Sequence, residues 1–287
     1  MKLFKVLTLV LLCLASSVHA QVKRSLIIGI GEYKDPAWTR INADNDIEYI
    51  SKILNFYKFK ELTVLRNSQA TKQAIIQEFD SLIDRCGKGD VVYVQFSGHG
   101  QRMLDLNGDE DDGFDESWVP YDAYYECCME DSGDKHLVDD EIYQMLTGLR
   151  EKIGETGQIL VVVDACYSGD STRSPGEGQS DYVYRGARDA FVPTTKVSFD
   201  PTIVEDWVWV SACEDFQVNC EVRKPQVGKL TYCLYKLRYD LASMSNDDLI
   251  EMLTEMMESR EILGPLPQNP CLGGGYDKYA IKEIFRK

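Results

Sequence analysis

The sequence predicts an α/β fold in which a mostly parallel central sheet is covered by helices on both faces. Unbroken apolar runs such as "SLIIGI" (25–30) and "DVVYVQF" (90–96) are typical of strands that are buried on both sides. The segments between such runs have apolar residues at helical spacing, and this alternation favours a parallel sheet. One large domain or two small ones would fit the chain length of 287 residues.

The first part of the chain supplies two strand and helix pairs. "SLIIGI" is followed by "NDIEYISKIL" (45–54), whose isoleucines and leucine recur at the spacing of one helix face. "LTVL" (62–65) is a second predicted strand, and "TKQAIIQEFDSLIDRC" (71–86) is a predicted helix that begins at a threonine cap.

Three further buried runs follow, and an irregular segment interrupts them. The runs are "DVVYVQF", "QILVVVDAC" (158–166) and "DWVWVSAC" (206–213). Residues 168–202 are rich in Gly, Ser, Pro and Thr and lack periodicity, which is typical of an exposed loop. We therefore predict a larger N-terminal region, 21–170, a flexible linker, 171–202, and a smaller C-terminal region, 203–287.

Residues 1–20 have the three-part pattern of a cleavable signal peptide. Lys2 and Lys5 precede the apolar stretch "VLTLVLLCLASS" (6–17), and "VHA" comes directly before Gln21. The apolar run is short for a bilayer span, so we expect no membrane anchor. The sequence therefore predicts a secreted or periplasmic protein.

Charge narrows the range of partners. The chain has 47 acidic against 31 basic side chains, for a formal net charge of −16. Nucleic acids and anionic membranes would repel such a surface, whereas basic peptides and cations would be attracted. The nine cysteines are scattered through a chain too large to need a disulfide framework, and their pairing stays open.

Two predicted strands end in residues that can do chemistry. "FSGHG" brings His99 to the carboxyl end of one strand, and "VVDACYSG" brings Cys166 to that of another. Ligands bind at this edge of parallel sheets, and a thiolate nucleophile needs a nearby base. The alternative is a small core cysteine and a structural histidine, which the residues alone do not exclude. His136 lies in the polar stretch "SGDKHLVDD" (132–140) and is predicted to be a surface residue.

The order of several motifs resembles that of the caspase-like cysteine peptidases of the C14 type, and specifically the metacaspase branch. The motifs are "ADND" (43–46), "SGHG" (97–100), "DACYSG" (164–169), "LVDDEIYQML" (137–146) and "VWVSAC" (208–213). The resemblance implies a three-layer caspase-like sandwich in one catalytic domain. Region 21–170 would correspond to the large subunit (p20), and region 203–287 to the small subunit (p10).

The resemblance also assigns catalytic roles. It implies that Cys166 is the nucleophile, that His99 is the general acid and base, and that the amides of Cys166 and Gly100 form the oxyanion hole. Peptide hydrolysis by such a pair needs no cofactor.

Specificity follows from charge at the S1 pocket, which binds the residue before the scissile bond (P1). The resemblance places Asp164, Asp46 and Ser97 in this pocket, so protein or peptide substrates with Arg or Lys at P1 are expected. Arg40 lies near the position of a pocket arginine in Asp-specific caspases, which leaves a preference for Asp at P1 as an alternative. A catalytically silent binding or scaffold protein of this fold is the other alternative.

A calcium site is a further implication of the resemblance. Asp139 and Asp140 in "LVDDE" correspond to metacaspase calcium ligands, and oxygen donors suit this hard cation. The acidic stretch "DLNGDEDDGFDE" (105–116) is not an EF-hand, because Glu110 stands where that loop needs glycine. The family site also uses an aspartate several residues after the nucleophile. Here Asp170 comes closer to Cys166 than that aspartate would, and Arg173 stands at the usual distance.

The linker carries basic residues that such an enzyme would cut. They are Arg173, Arg185, Arg188 and Lys196, and exposed linkers of this composition are preferred sites of proteolysis. We therefore expect a zymogen that processes itself in this segment. We also expect a monomer, because metacaspase-like chains need not pair through a sheet edge as caspases do.

Overall fold

The computed structural model describes residues 21–106, 108, 110, 112–167, 182–187, 189–194, 205–214, 216–259, 262 and 267–287. The strands are β1 (Lys23–Gly29), β2 (Glu61–Arg66), β3 (Val91–Ser97), β4 (Gly100–Leu104), β5 (Phe114–Trp118), β6 (Leu137–Val138), β7 (Gln158–Asp164), β8 (Val208–Ser211), β9 (Glu221–Val222), β10 (Val227–Gly228) and β11 (Cys271–Gly274). The helices are α1 (Ala43–Phe56), α2 (Lys72–Arg85), α3 (Asp139–Ile153), α4 (Lys229–Lys236), α5 (Asn246–Met257) and α6 (Ile281–Ile284).

The central sheet has six strands in the order β11-β8-β7-β3-β1-β2. All neighbours are parallel except β11, which pairs antiparallel with β8 at one edge. The predicted α/β fold with a mostly parallel sheet is therefore confirmed. The short strand β11 has glycines at two of its four positions and was not predicted, because it lacks the apolar run of a buried strand.

Helices cover both faces of the sheet, as the buried runs predicted. One apolar core joins the sheet to α1, α4, α5 and α6 through residues such as Ile50, Leu230 and Leu253. The other joins it to α2 and α3 through Phe79, Leu146 and the opposite side chains of the same strands. Strand β3 is buried along its whole length, which explains its continuous apolar sequence.

Local signals set where the helices begin. Thr71 accepts a hydrogen bond from the Ala74 amide (3.2 Å) and caps α2, as the sequence predicted. Ser245 and Asp248 form a reciprocal capping box at the start of α5. No helix within the described part of the chain is long and apolar enough to cross a bilayer.

A second, three-stranded antiparallel sheet, β4-β5-β6, follows the end of β3. Segment 182–194, apart from residue 188, runs along this sheet although it belongs to the predicted linker. The Phe191 amide donates to the Arg102 carbonyl (2.7 Å), and Phe191 is buried against Met103 and Val138. This part of the linker is therefore bound to the domain, which differs from the prediction of an exposed loop.

Candidate active site

The central sheet brings His99 and Cys166 to the same edge. Ser97 of β3 is paired in register with Asp164 of the neighbouring parallel strand β7. His99 and Cys166 each follow these paired residues by two positions, at the carboxyl ends of their strands. Both residues are buried, with exposed fractions of 2% and 1%.

The imidazole of His99 is held in one orientation. Its Nε2 lies 2.8 Å from the carbonyl oxygen of Thr39, an acceptor only, so Nε2 carries the proton and donates. Its Nδ1 is buried without a hydrogen-bond partner. Trp38 stacks on the ring at 5.0 Å, and the Tyr33 hydroxyl accepts a hydrogen bond from the His99 amide (2.7 Å). This arrangement leaves the lone pair of Nδ1 available to accept a proton.

Burial keeps this imidazole neutral. It lowers the pKa of His99 to about 4, and the charge of Arg185 lowers it as well, whereas the bond to Thr39 raises it. The neutral base therefore persists over the physiological pH range.

The backbone around Cys166 can bind a carbonyl oxygen. The Cys166 amide donates to the carbonyl of Arg185 at 2.9 Å, and Gly100 forms a parallel bridge with Gly186. That bridge turns the Gly100 amide towards the same carbonyl. A Cβ at Gly100 would lie 2.6 Å from the Cys166 carbonyl oxygen, so only glycine allows this approach. The two amides predicted for the oxyanion hole thus face one carbonyl.

The thiol of Cys166 has a second cysteine as its neighbour. A hydrogen bond with the Cys166 side chain and burial together raise the pKa of the Cys213 thiol well above its usual value. Cys213 follows β8, the strand next to β7, which accounts for the contact. All eight cysteines of the described residues are free thiols.

A buried guanidinium occupies the predicted S1 pocket. Arg185 is completely buried, and its Nη1 and Nη2 lie 2.6 and 3.1 Å from the two carboxylate oxygens of Asp46. Its Nη1 is also 3.2 Å from Asp164, and its Nη2 is 3.1 Å from Glu221. Burial alone would lower the pKa of Arg185, but the three carboxylates raise it well above its usual value. The pocket binds this side chain as a cation.

Backbone amides and the side-chain amide of Asn219 hold these carboxylates in place. Asp164 accepts from Asn219 Nδ2 and from the Thr231 amide, both at 2.8 Å, and Asp46 accepts from the Gly228 amide at 3.0 Å. Burial raises the pKa of Asp46 to about 6, the Arg185 charge lowers it, and neighbouring Asp164 raises it. A Cβ at Gly228 would collide with the Asp164 carboxylate and the Arg185 guanidinium, so the pocket wall requires glycine there.

Residues 183–187 form backbone hydrogen bonds and isolated β-bridges with the chain on both sides. The Arg185 amide donates to the Asn219 carbonyl, and the Glu221 amide donates to the Val183 carbonyl, both at 2.9 Å. On the other side of the Arg185–Gly186 bond, the Ala187 amide donates to the Gly100 carbonyl at 3.0 Å. The backbone of this segment is therefore fixed on both sides of the Arg185–Gly186 bond, and the Arg185 carbonyl is held by the Cys166 amide.

Several predicted residues have other positions than expected. Arg185 was expected in solvent but is fully buried in the cleft, because three carboxylates compensate its charge. His136 was expected at the surface but is also fully buried, 2.8 Å from Gln101 Oε1 and against the Phe191 ring. Arg40 is an exposed residue that pairs with exposed Glu32 and takes no part in the pocket.

Ser97 lies beside the S1 pocket, and its described hydrogen bond is to Gln95 and not to the Arg185 guanidinium. It is buried and accepts a hydrogen bond from Gln95 Nε2 (3.0 Å), which also lies 3.3 Å from Thr231 Oγ1. Asp170, Arg173, Arg188 and Lys196, with the predicted signal peptide, lie outside the described residues.

The residues proposed as calcium ligands provide negative charge, but too few of them lie close together to hold the ion. Asp139 Oδ1 is buried without a hydrogen-bond partner, and burial, Glu116 and Asp140 raise the pKa of Asp139 to about 8. A cation would relieve this repulsion. However, no three His, Cys, Asp or Glu side chains among the described residues are grouped closely enough to hold a metal ion. The described residues thus provide an electrostatic setting for calcium without a full set of ligands.

Sequence reasoning did not identify Asn219, Glu221, Thr39 and Trp38. Asn219 and Glu221 lie in the irregular stretch "EDFQVNCEV" (214–222), and Thr39 and Trp38 in the loop between β1 and α1. None of them belongs to a periodic pattern, and β9, which begins at Glu221, has only two residues. Thr39 contacts His99 through its backbone carbonyl, so its side chain carries no signal.

Comparison with known families adds an independent observation. The model described as "Metacaspase, peptidase C14 domain" matches residues 23–175, just over half of the chain. Metacaspase-1B of Aspergillus terreus is 30% identical over 172 residues, which are 56% of this chain and 40% of that protein. Metacaspase-1 of Eremothecium gossypii is 30% identical over 162 residues, or 53% of this chain and 33% of that protein. The match thus spans two fifths or less of these relatives.

Solved structures support the fold. A protein from Geobacter sulfurreducens superposes with a TM-score of 0.63 at 21% identity and covers 88% of this chain and 92% of its own. Caspase-1 of Spodoptera frugiperda superposes with a TM-score of 0.56 at 14% identity, over 89% of this chain and 87% of its own. The three-layer caspase-like sandwich is therefore confirmed as the architecture.

Proposed function

Since this chain belongs to the metacaspase family of C14 cysteine peptidases, we propose that it is an endopeptidase that hydrolyses peptide bonds after arginine or lysine. The observation that carries the proposal is the buried Arg185, whose guanidinium contacts three carboxylates while its carbonyl accepts from the Cys166 amide. An aspartate at P1 would meet like charge in this pocket. The exposed position of Arg40 removes the feature that favoured Asp at P1.

The proposed mechanism uses Cys166 and His99 as a dyad. His99 Nδ1 accepts the thiol proton, and Cys166 Sγ attacks the carbonyl carbon of the P1 residue. The amides of Cys166 and Gly100 stabilise the oxyanion. The C–N bond then breaks, and His99 returns the proton to the leaving amine. Water, deprotonated by Nδ1, attacks the thioester and releases the acid and the thiol.

We also propose that the Arg185–Gly186 bond is the self-processing site. We expect purified protein to yield a fragment that begins at Gly186, identified by N-terminal sequencing and intact mass. Arg185→Ala should slow this cut by about 100-fold, because a charge-assisted contact with the pocket is lost, and Arg185→Lys should retain it. Arg286→Ala is the matched control, since Arg286 is exposed and paired only with Glu283 in the described structure.

Two outcomes would contradict this site. The first is a sole new N-terminus after Arg173, Arg188 or Lys196. The second is release of the Gly186 fragment from Cys166→Ala protein, which would point to a contaminating protease.

We propose calcium as an activator that takes no part in the chemistry, with Asp139 and Asp140 as contributing ligands. Because the pKa of Asp139 is about 8 without a cation, calcium must displace a proton from it at neutral pH. Stimulation by calcium should therefore be stronger at pH 8.5 than at pH 6.5. Asp139→Asn, a mimic of the neutral carboxyl, should keep the calcium-free rate and lose the stimulation. The measurement is hydrolysis of an Arg reporter peptide in calcium and in chelator, and an unchanged response in Asp139→Asn would exclude this role.

Export, a monomeric state and the absence of a membrane anchor are parts of the same proposal. Export is supported by the pattern of residues 1–20, and basic protein substrates are supported by the net charge of −16.

A further inference from the structure

Residues 183–187 also contact the domain beyond the Arg185–Gly186 bond, on the side of the leaving amine. The inference drawn here rests on the proposed function, because it takes residues 183–187 as a bound peptide with Arg185 at P1. Gly186 is then P1′ and Ala187 is P2′. Gly186 forms a bridge with Gly100, and the Ala187 amide donates to the Gly100 carbonyl. Strand β4 thus fixes the direction in which the P2′ side chain points.

The Ala187 side chain occupies a small apolar pocket. It is 2% exposed and packs in one cluster with Trp38, Val119 and Ala123, which are themselves 5%, 0% and 0% exposed. Its buried residues are distinct from those of the two cores, and half-buried Tyr33 packs against both this cluster and the core of α2 and α3. A small apolar cluster beside the Arg185–Gly186 bond, filled by one methyl group of residues 183–187, has the form of a side-chain subsite.

The walls of this pocket cannot move freely. Trp38 Nε1 donates to the Ala123 carbonyl at 3.1 Å, and the indole also stacks on the His99 ring at 5.0 Å. The Tyr125 ring meets the indole edge to face at 4.9 Å. A larger P2′ side chain would displace Trp38 and, through the stacked ring, His99. A larger P2′ side chain would therefore disturb the position of His99 as well as the packing of the pocket.

We infer that Trp38, Val119 and Ala123 form an S2′ subsite that restricts substrates to small residues, Gly, Ala or Ser, at the second position after the scissile bond. The favoured substrates are proteins in which Arg or Lys is followed by small residues, as in "RGA" (185–187) of the chain itself. Val119 sets the volume of the subsite and is a specificity-determining residue, and Trp38 is a positioning residue for His99.

The test compares quenched fluorescent peptides based on "DYVYRGARDA" (181–190), with Arg188→Gln so that Arg185 is the single basic residue, and with Gly, Ala, Ser, Leu or Trp at P2′. We expect kcat/KM to fall at least about tenfold from Ala to Leu and further to Trp. Residues 183–187 of the enzyme itself compete with every peptide equally. This competition lowers kcat/KM for all peptides by the same factor and leaves the ratios between peptides unchanged. Val119→Ala should raise the ratio of kcat/KM for the Leu peptide to kcat/KM for the Ala peptide. Simple destabilisation of the enzyme would not change this ratio.

A parallel test uses the full chain as its own substrate. Ala187→Leu should slow release of the Gly186 fragment at least about tenfold, and Ala187→Ser should not. Val192→Leu is the matched control, because Val192 lies on the same segment but is 59% exposed.

A reporter with Val-Tyr-Arg joined to aminomethylcoumarin separates the two levels of the proposal, because it has no P2′ residue. Hydrolysis of this reporter together with equal rates for all P2′ peptides would overturn the subsite and leave the proposed function intact. Failure to hydrolyse the reporter and every peptide would overturn both.

Discussion

Cys166→Ala should abolish both self-processing and hydrolysis of Arg reporter peptides, by at least about four orders of magnitude. The alanine side chain supplies no nucleophile, and His99 then has no thiol to deprotonate. Gel electrophoresis should show only the uncut chain, and circular dichroism should match that of the wild type because one buried sulfur is all that is removed. The Cys166 thiol should also be the one alkylated by a peptidyl chloromethylketone with Arg at P1.

Cys213→Ala is the control for this variant. It removes the thiol that contacts Cys166 but leaves the nucleophile, so most of the activity should remain. If Cys166→Ala protein instead cleaved the reporter as fast as the wild type, the dyad would be wrong. If the wild type neither cleaved the reporter nor reacted with the ketone, the alternative of a catalytically silent binding protein would be favoured.

Asp164→Asn should produce the second large effect. The asparagine keeps the shape and can still accept from the Thr231 amide, but it removes the negative charge that lies 3.2 Å from the guanidinium. Loss of one partner of a buried charge pair costs about 2–5 kcal/mol, so we expect kcat/KM for Arg substrates to fall by about 30- to 4,000-fold. The measurement is steady-state hydrolysis of reporters with Arg, Lys and Asp at P1.

Asp44→Asn is the control for loss of a nearby carboxylate, because Asp44 lies two residues before the pocket residue Asp46 on α1 but pairs with Arg66 outside the pocket. An unchanged Arg rate in Asp164→Asn would exclude Asp164 from substrate binding. Faster cleavage of Asp than of Arg reporters by the wild-type enzyme would contradict the basic specificity itself.

The buried parts of the fold were predictable because each strand carries its own signal. Strands β3 and β7 are continuous apolar runs, and their parallel pairing places both strand ends at one edge. His99 and Cys166 could therefore be expected together from local sequence. Strands β9 and β10 have two residues each, and no periodicity can identify elements so short.

The S1 pocket was only partly predictable. Asp46 and Asp164 were inferred through the family resemblance, whereas Glu221 begins the two-residue strand β9 and Asn219 lies just before it, in a stretch without periodicity. Arg185 was misplaced because a basic residue among glycines and serines is normally solvated. Its burial is compensated by Asp46, Asp164 and Glu221, which lie 139, 21 and 36 positions away in sequence, and such contacts do not appear in a local pattern.

The location of the Arg185–Gly186 bond has a consequence for what happens after it is broken. The bond separates β7 from β8 in sequence, yet these strands are hydrogen-bonded neighbours in the central sheet. Asp46 and Asp164 would remain on one polypeptide, with Glu221 and Asn219 on the other. We therefore expect the nicked molecule to persist as a two-chain heterodimer that elutes as one species, whose halves separate only in denaturant.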